Sequence, residues 1–136
     1  MNYLYVALGS AAGGLARFVV GTWLQRRLDD LMPRAGVQPF PIGTLIVNVS
    51  GSFLLGIILV AAARQGEHGS AIRLLLAVGL CGGYTTFSTF SADTVGLLER
   101  GGTGLAAMNV AASVALALVA TFAGAALARA LLGRPY

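Results

Sequence analysis

Charge is scarce in this chain. Only 10% of its 136 residues are Asp, Glu, Lys or Arg, and it has one cysteine and one histidine. A soluble domain carries about a quarter charged residues, so a surface this poor in charge cannot face water all round. The single Cys81 excludes an intrachain disulfide and a thiolate metal cluster, and its neighbours Leu80 and Gly82 suit a buried structural thiol. His68 alone cannot supply zinc-ligand spacing. An activated nucleophile and paired carboxylates are also missing, so catalysis finds no support.

What is present is apolar. Hydrophobic residues make up 57% of the chain and the mean hydropathy is +0.80, while the length suits one domain, 1–136. A pI near 10.0 would raise nucleic-acid binding in a soluble protein. Here the basic residues are arginines placed mostly between apolar runs, as membrane-flanking anchors are. They form no basic stripe interleaved with aromatics, so nucleic acid is set aside as a partner and the lipid membrane takes its place.

Four stretches are long and apolar enough to span: 3–24, 42–63, 71–98 and 103–132. At 1.5 Å per residue the first two are each about 33 Å long, close to a hydrocarbon core of ~30 Å. The last two exceed that length, which calls for tilt, emergence into water or a break. The first run begins almost at Met1, lacks a basic flank and contains Arg17, so it reads as a retained helix rather than a cleavable signal. Between the first and second spans, Arg26, Arg27, Asp29, Asp30, Arg34, Pro33 and Pro39 mark a polar loop, and Pro41 suits the first turn of the next helix. The fold class expected is therefore an all-α membrane protein with four transmembrane helices.

With four spans, both termini and the middle loop share one side of the membrane. That side carries Arg64, Arg73, Arg129 and Arg134, and the other Arg26, Arg27, Arg34 and Arg100. The balance leaves no arginine bias to fix orientation. It is compatible with insertion both ways and an antiparallel dimer, and equally with the scatter of a small count. Small residues four apart, at Gly9-Gly13, Ser52-Gly56 and Ala120-Gly124-Ala128, suit a tightly packed bundle.

Polar residues inside the spans carry the functional argument. The third span reads Gly82-Gly83-Tyr84-Thr85-Thr86-Phe87-Ser88-Thr89-Phe90-Ser91, preceded by Gly79 and followed by Asp93. This is a poor helix centre, and backbone groups freed at membrane depth must be buried in protein, hold an ion or line water. A broken third helix is expected there. Asn48 puts an amide inside the second span, facing either a neighbouring helix or a wet path. Asn109, Ser113 and Thr121 share a slowly rotating face of the fourth span, as a ladder of donors or as isolated hydrogen-bonding groups. Arg17 is costly in a membrane and should face protein, water or an anion; Asp93 is a candidate partner. The interior is thus rich in hydroxyl, amide and guanidinium donors and poor in carboxylates, a balance that suits an anion.

The segments Gly13-Gly14-Leu15-Ala16-Arg17-Phe18, Gly43-Thr44-Leu45-Ile46-Val47-Asn48-Val49-Ser50-Gly51-Ser52-Phe53 and Gly82 to Ser91 resemble three signatures of the Fluc (CrcB) fluoride channel family. The resemblance covers nearly the whole chain, and the Thr-Thr-Phe-Ser-Thr-Phe-Ser run is its most specific part. It implies a multi-pass channel of the bacterial inner membrane that exports fluoride passively and protects against its toxicity. The resemblance implies an antiparallel, dual-topology homodimer with two pores. Asn48 would donate to fluoride, Phe87 and Phe90 would present ring edges, and Thr44, Ser88, Ser113 and Thr121 would line the path, with Arg17 at the vestibule. Gly82 and Thr85 would hold a structural Na⁺ through backbone carbonyls at the dimer interface. Asp93 departs from the Glu found in many relatives. The competing expectations are a small proton- or cation-coupled transporter, which needs a titratable carboxylate in its path, and a non-transporting assembly subunit.

Overall fold

A computed structural model describes residues 2–31, 40–66 and 69–133. Arg34, Pro33, Pro39, His68 and Arg134 lie outside the described residues. The described chain is all-helical. Helix α1 runs Asn2–Leu31 and α2 runs Ile42–Ala63. Helix α3 begins at Gly69–Ile72, continues through Arg73–Cys81 with π-helical winding, and closes with Gly82–Tyr84. Two extended residues, Thr85 and Thr86, separate it from α4, Phe87–Glu99. Helix α5 runs Thr103–Leu132. Four segments, Asn2–Leu31, Ile42–Ala63, Gly69–Glu99 and Thr103–Leu132, are long and apolar enough to cross a membrane. The first extends past the expected end at Leu24, because the charged turn that follows stays helical to Leu31.

The break lies where the sequence places it, but the glycines do not make it. Gly82 and Gly83 remain helical, and the chain leaves the helix only at Thr85 (φ −78°, ψ 157°) and Thr86 (φ −150°, ψ 116°). Thr86 is the N-cap of α4, its Oγ1 accepting the Thr89 N–H at 3.1 Å, as a threonine at that position does for an orphan amide. The nine-residue π-helical stretch Arg73–Cys81 is long for a winding usually confined to single turns, and the sequence gives no sign of it.

Small residues set the packing. Helix α2 lies along α5, and α1 along α3. A Cβ on Gly9 would overlap the Leu75 carbonyl, one on Gly13 the Leu80 carbonyl, and ones on Gly56 and Gly124 the Thr121 and Phe53 carbonyls. Backbones approach this closely only where side chains are absent. At the α4–α5 turn Gly101 takes φ 77°, and Gly101 N–H and Gly102 N–H close on Leu98 O and Leu97 O at 2.9 and 2.8 Å, a glycine-ended helix cap. Pro41 sits one residue ahead of α2, as its N-cap.

The interior is thin. In the most apolar window of each span only 11% to 28% of residues are buried within the chain. Phe18, Leu15, Phe122 and Val119 are exposed, a surface that lipid or another chain can cover but water would not tolerate.

Candidate functional site

The break is fastened to α2 by an amide. Thr86 N–H donates to Asn48 Oδ1 at 2.7 Å, and Asn48 Nδ2 donates back to Thr86 O at 3.1 Å. The Thr86 N–H, which no helical carbonyl receives, is thereby satisfied as a membrane interior demands, and Thr86 O, the N-cap carbonyl of α4, gains a side-chain donor. The second Asn48 N–H has no partner among the described residues. One residue back, Thr85 N–H and Thr85 Oγ1 both donate to Cys81 O, each at 2.9 Å. Tyr84 and Ser50 hydroxyls meet at 3.1 Å.

An open cleft of about 810 Å³ lies between α1, α2 and α4. Its walls bring together Arg17, Thr44, Ser88 and Asp93 from the residues expected to act, together with Thr86 and Thr89. Thr44 Oγ1 donates to Asp93 Oδ2 at 2.7 Å. Asp93 is therefore held by a hydroxyl rather than by Arg17, and Arg17 makes no ion pair among the described residues. Arg26, Arg100 and Asp29 line the cleft as well, so three guanidinium groups stand against two carboxylates there. Thr86 Oγ1 lies 3.2 Å from Ser88 Oγ and 3.0 Å from Thr89 Oγ1, a cluster of three hydroxyls at the start of α4.

The other expected site residues lie elsewhere. Asn48 does not line the cleft but reaches its wall through Thr86. Phe87 is 78% exposed and Phe90 is buried at 9%; their ring centroids are 5.4 Å apart at 47°, within the range where aromatic pairs attract. On α5, Ser113 is buried and donates to Asn109 Oδ1 at a long 3.5 Å, while Thr121 donates one turn back along its helix to Ala117 O, 2.9 Å. Neither belongs to the cleft. Gly82 is exposed and Thr85 half-buried, on the α3 side of the break.

Two residues make connections that the sequence pattern does not show. Thr86 is the joint between Asn48, the cleft and α4; it lies in the quoted motif, but the pattern alone does not say which threonine caps the helix. Asn109, 1% exposed, donates to Thr94 Oγ1 at 2.9 Å, and Thr94 Oγ1 donates to Phe90 O at 2.8 Å. Its spacing on the fourth span is visible in the sequence, but its engagement with α4 is not.

No cluster of three His, Cys, Asp or Glu side chains capable of holding a metal occurs among the described residues. A cation would have to use carbonyls, and the break offers them. In an unbroken helix the Thr86 and Thr89 amides would close on Gly82 O and Thr85 O. Here those amides turn instead to Asn48 Oδ1 and Thr86 Oγ1, so the two carbonyls are released from their helical donors. This fits a hard, oxygen-seeking ion such as Na⁺.

Known proteins match nearly the full length of the chain. The family model described as "CrcB-like protein, Camphor Resistance (CrcB)" matches residues 4–125. A protein of Agrobacterium fabrum named fluoride-specific ion channel FluC is 44% identical over 129 residues, 95% of this chain and 97% of the relative. Its namesake in Rhodopseudomonas palustris is 44% identical over 131 residues, covering 96% and 99%. That of Rhizobium meliloti is 43% identical over 132 residues, covering 96% and 99%.

Proposed function

The chain belongs to the CrcB-like protein family, and from that premise we propose that it is a fluoride-specific ion channel rather than an enzyme. The observation that carries the reading is identity at 44% along almost the entire length to proteins bearing that name. The cleft agrees with it in chemistry. Arg17, Arg26 and Arg100 give its mouth a positive balance, which concentrates anions. The cleft also holds the hydroxyls of Thr44, Thr86, Ser88 and Thr89, and the Asn48 amide stands behind its Thr86 wall. Fluoride is small and strongly hydrated, so a path for it must replace water with closely spaced donors while holding the ion loosely enough to release it.

In this proposal Arg17 draws fluoride into the vestibule, and Thr44 and Ser88 line it. Asn48 supplies its second N–H, the first being fixed on Thr86 O. Phe87 and Phe90 offer the positive edges of their rings. Ser113 and Thr121 would have to turn their protons from Asn109 Oδ1 and Ala117 O to serve as donors. The assembly proposed is an antiparallel, dual-topology homodimer in a bacterial inner membrane, with one pore on each side. Exposure of Gly82 and Phe87 on either side of the break, outside the cleft lining, supports it, since the Gly82 carbonyl has lost its helical donor and does not face lipid without cost. Na⁺ at the junction would be held by Gly82 and Thr85 carbonyls, and its contribution there is a fixed positive charge joining two chains.

Reconstitution in liposomes tests the function. Loaded vesicles should release fluoride rapidly when a potassium ionophore sets the voltage, with little release of chloride from a parallel preparation. Well-folded protein that passes no fluoride sinks the channel reading.

A further inference from the structure

Tyr84, the last helical residue of α3, and the extended pair Thr85 and Thr86 land on a single turn of α2. The Tyr84 hydroxyl meets Ser50 Oγ at 3.1 Å. Ser50 Oγ itself donates to Ile46 O at 2.7 Å, so Tyr84 is the donor in that pair. Thr85 rests on Gly51, where an added Cβ would overlap Thr85 Cγ2 and stand 2.9 Å from Tyr84 Cδ1. Thr86 is held at both backbone groups by Asn48. An extended pair of residues within an otherwise helical span has no ladder of its own, and its amide would close back onto Gly82 O if nothing competed for it.

We propose that the Asn48–Gly51 turn of α2 is the template of the break. In this arrangement Asn48 and Tyr84 are positioning residues. Asn48 Oδ1 takes the Thr86 N–H and so keeps Gly82 O released. Tyr84, the residue before the extended pair, is fastened to Ser50 through its hydroxyl, and Gly51 leaves the room into which Thr85 fits. The template acts on both proposed ion sites at once, because the same extended pair that frees the carbonyls on the α3 side caps α4 and aims Phe87 on the other. Only this consequence for ions rests on the channel reading; the template itself does not.

The test separates the two. Amide exchange at Thr86 is followed by NMR in full-length protein in lipid, alongside thermal stability and the ratio of fluoride to chloride flux. Tyr84→Phe removes one oxygen and keeps the ring. It should speed Thr86 exchange about fivefold, the net worth of one hydrogen bond, and lower the flux ratio. Gly51→Ala should do so more strongly. Adding Thr85→Ser, which deletes the methyl that the introduced Cβ would strike, should slow exchange again relative to Gly51→Ala alone. Gly56→Ala makes an equally severe overlap, with Thr121 O on the α5 side. It should lower stability while leaving Thr86 exchange and the flux ratio as they are. The proposal is overturned if Tyr84→Phe exchanges at Thr86 as wild type does, or if Gly56→Ala speeds that amide as much as Gly51→Ala. If the exchange pattern holds and wild-type protein carries no fluoride, the template stands and the channel reading falls.

Discussion

Asp93 accepts the Thr44 hydroxyl at 2.7 Å, and this contact defines what a carboxylate does in a cleft otherwise suited to anions. The Thr44 proton points at Asp93, so Thr44 turns a lone pair to the cleft until that bond opens. The carboxylate is also the feature on which a coupled carrier would depend, so one substitution separates two mechanisms.

Asp93→Asn keeps an acceptor for Thr44 and removes the negative charge. For a passive fluoride channel, efflux should persist within about threefold of wild type, a change of under 1 kcal/mol in the barrier. Efflux measured with a fluoride electrode checks this. If Asp93→Asn abolishes transport while Phe87→Ile does not, a carboxylate-coupled carrier replaces the channel.

Arg17 lines the cleft without an ion-pair partner among the described residues, so its charge acts on solvent and on whatever enters. Arg17→Gln should lower fluoride flux at low ionic strength and matter much less near 1 M salt, where screening shortens the field to about 3 Å. Flux measured across a salt series decides the point. An Arg17→Gln deficit independent of salt would mean that the guanidinium makes a contact rather than a field.

Phe87 and Phe90 are neighbours with different surroundings. Phe90, at 9% exposure, is part of the thin core, whereas Phe87, at 78%, is not. Phe90→Ala should destabilise the folded protein by about 3 kcal/mol. Phe87→Ile should leave the melting temperature within about a degree or two, as a substitution outside the core does, while impairing fluoride conduction. Thermal melts and liposome efflux on the same preparations separate the roles. Normal flux through Phe87→Ile would remove that ring from the path.

Most of the architecture is legible in the sequence because the membrane makes few demands and makes them strongly. Long apolar runs mark four spans, and Gly9, Gly13, Gly56 and Gly124 mark where backbones meet. The position of the break is legible from the Gly-Gly-Tyr-Thr-Thr run, but its mechanism is not. Glycine is the expected cause, yet Gly82 and Gly83 stay helical, because helix propensity is a small term beside a competing acceptor. That acceptor, Asn48, lies 38 residues away, and no local pattern announces a partner across that distance. Arg17, Thr44, Ser88 and Asp93 share a cleft for the same non-local reason: three helices contribute to it. The π-helical winding of Arg73–Cys81 has no counterpart in the pattern, since its apolar residues suit either winding.

The released carbonyls make the last prediction. Gly82 O and Thr85 O have lost their helical donors to Asn48 Oδ1 and Thr86 Oγ1. Unsatisfied carbonyls inside a membrane are costly, so an ion that binds them stabilises the folded assembly by mass action, about 2.7 kcal/mol at a concentration roughly a hundred times its Kd. Replacing sodium with the larger N-methylglucamine cation should lower the melting temperature and promote dissociation of any dimer, and restoring sodium should reverse both. Thr86→Val removes the side-chain acceptor that holds the Thr89 amide. That amide can then return to Thr85 O, so the variant should need more sodium for the same stabilisation, beyond the roughly 1 kcal/mol lost with the helix cap. Differential scanning fluorimetry across a sodium titration at constant ionic strength reads both effects. A melting temperature indifferent to sodium in wild type would leave those carbonyls to water or to a partner chain.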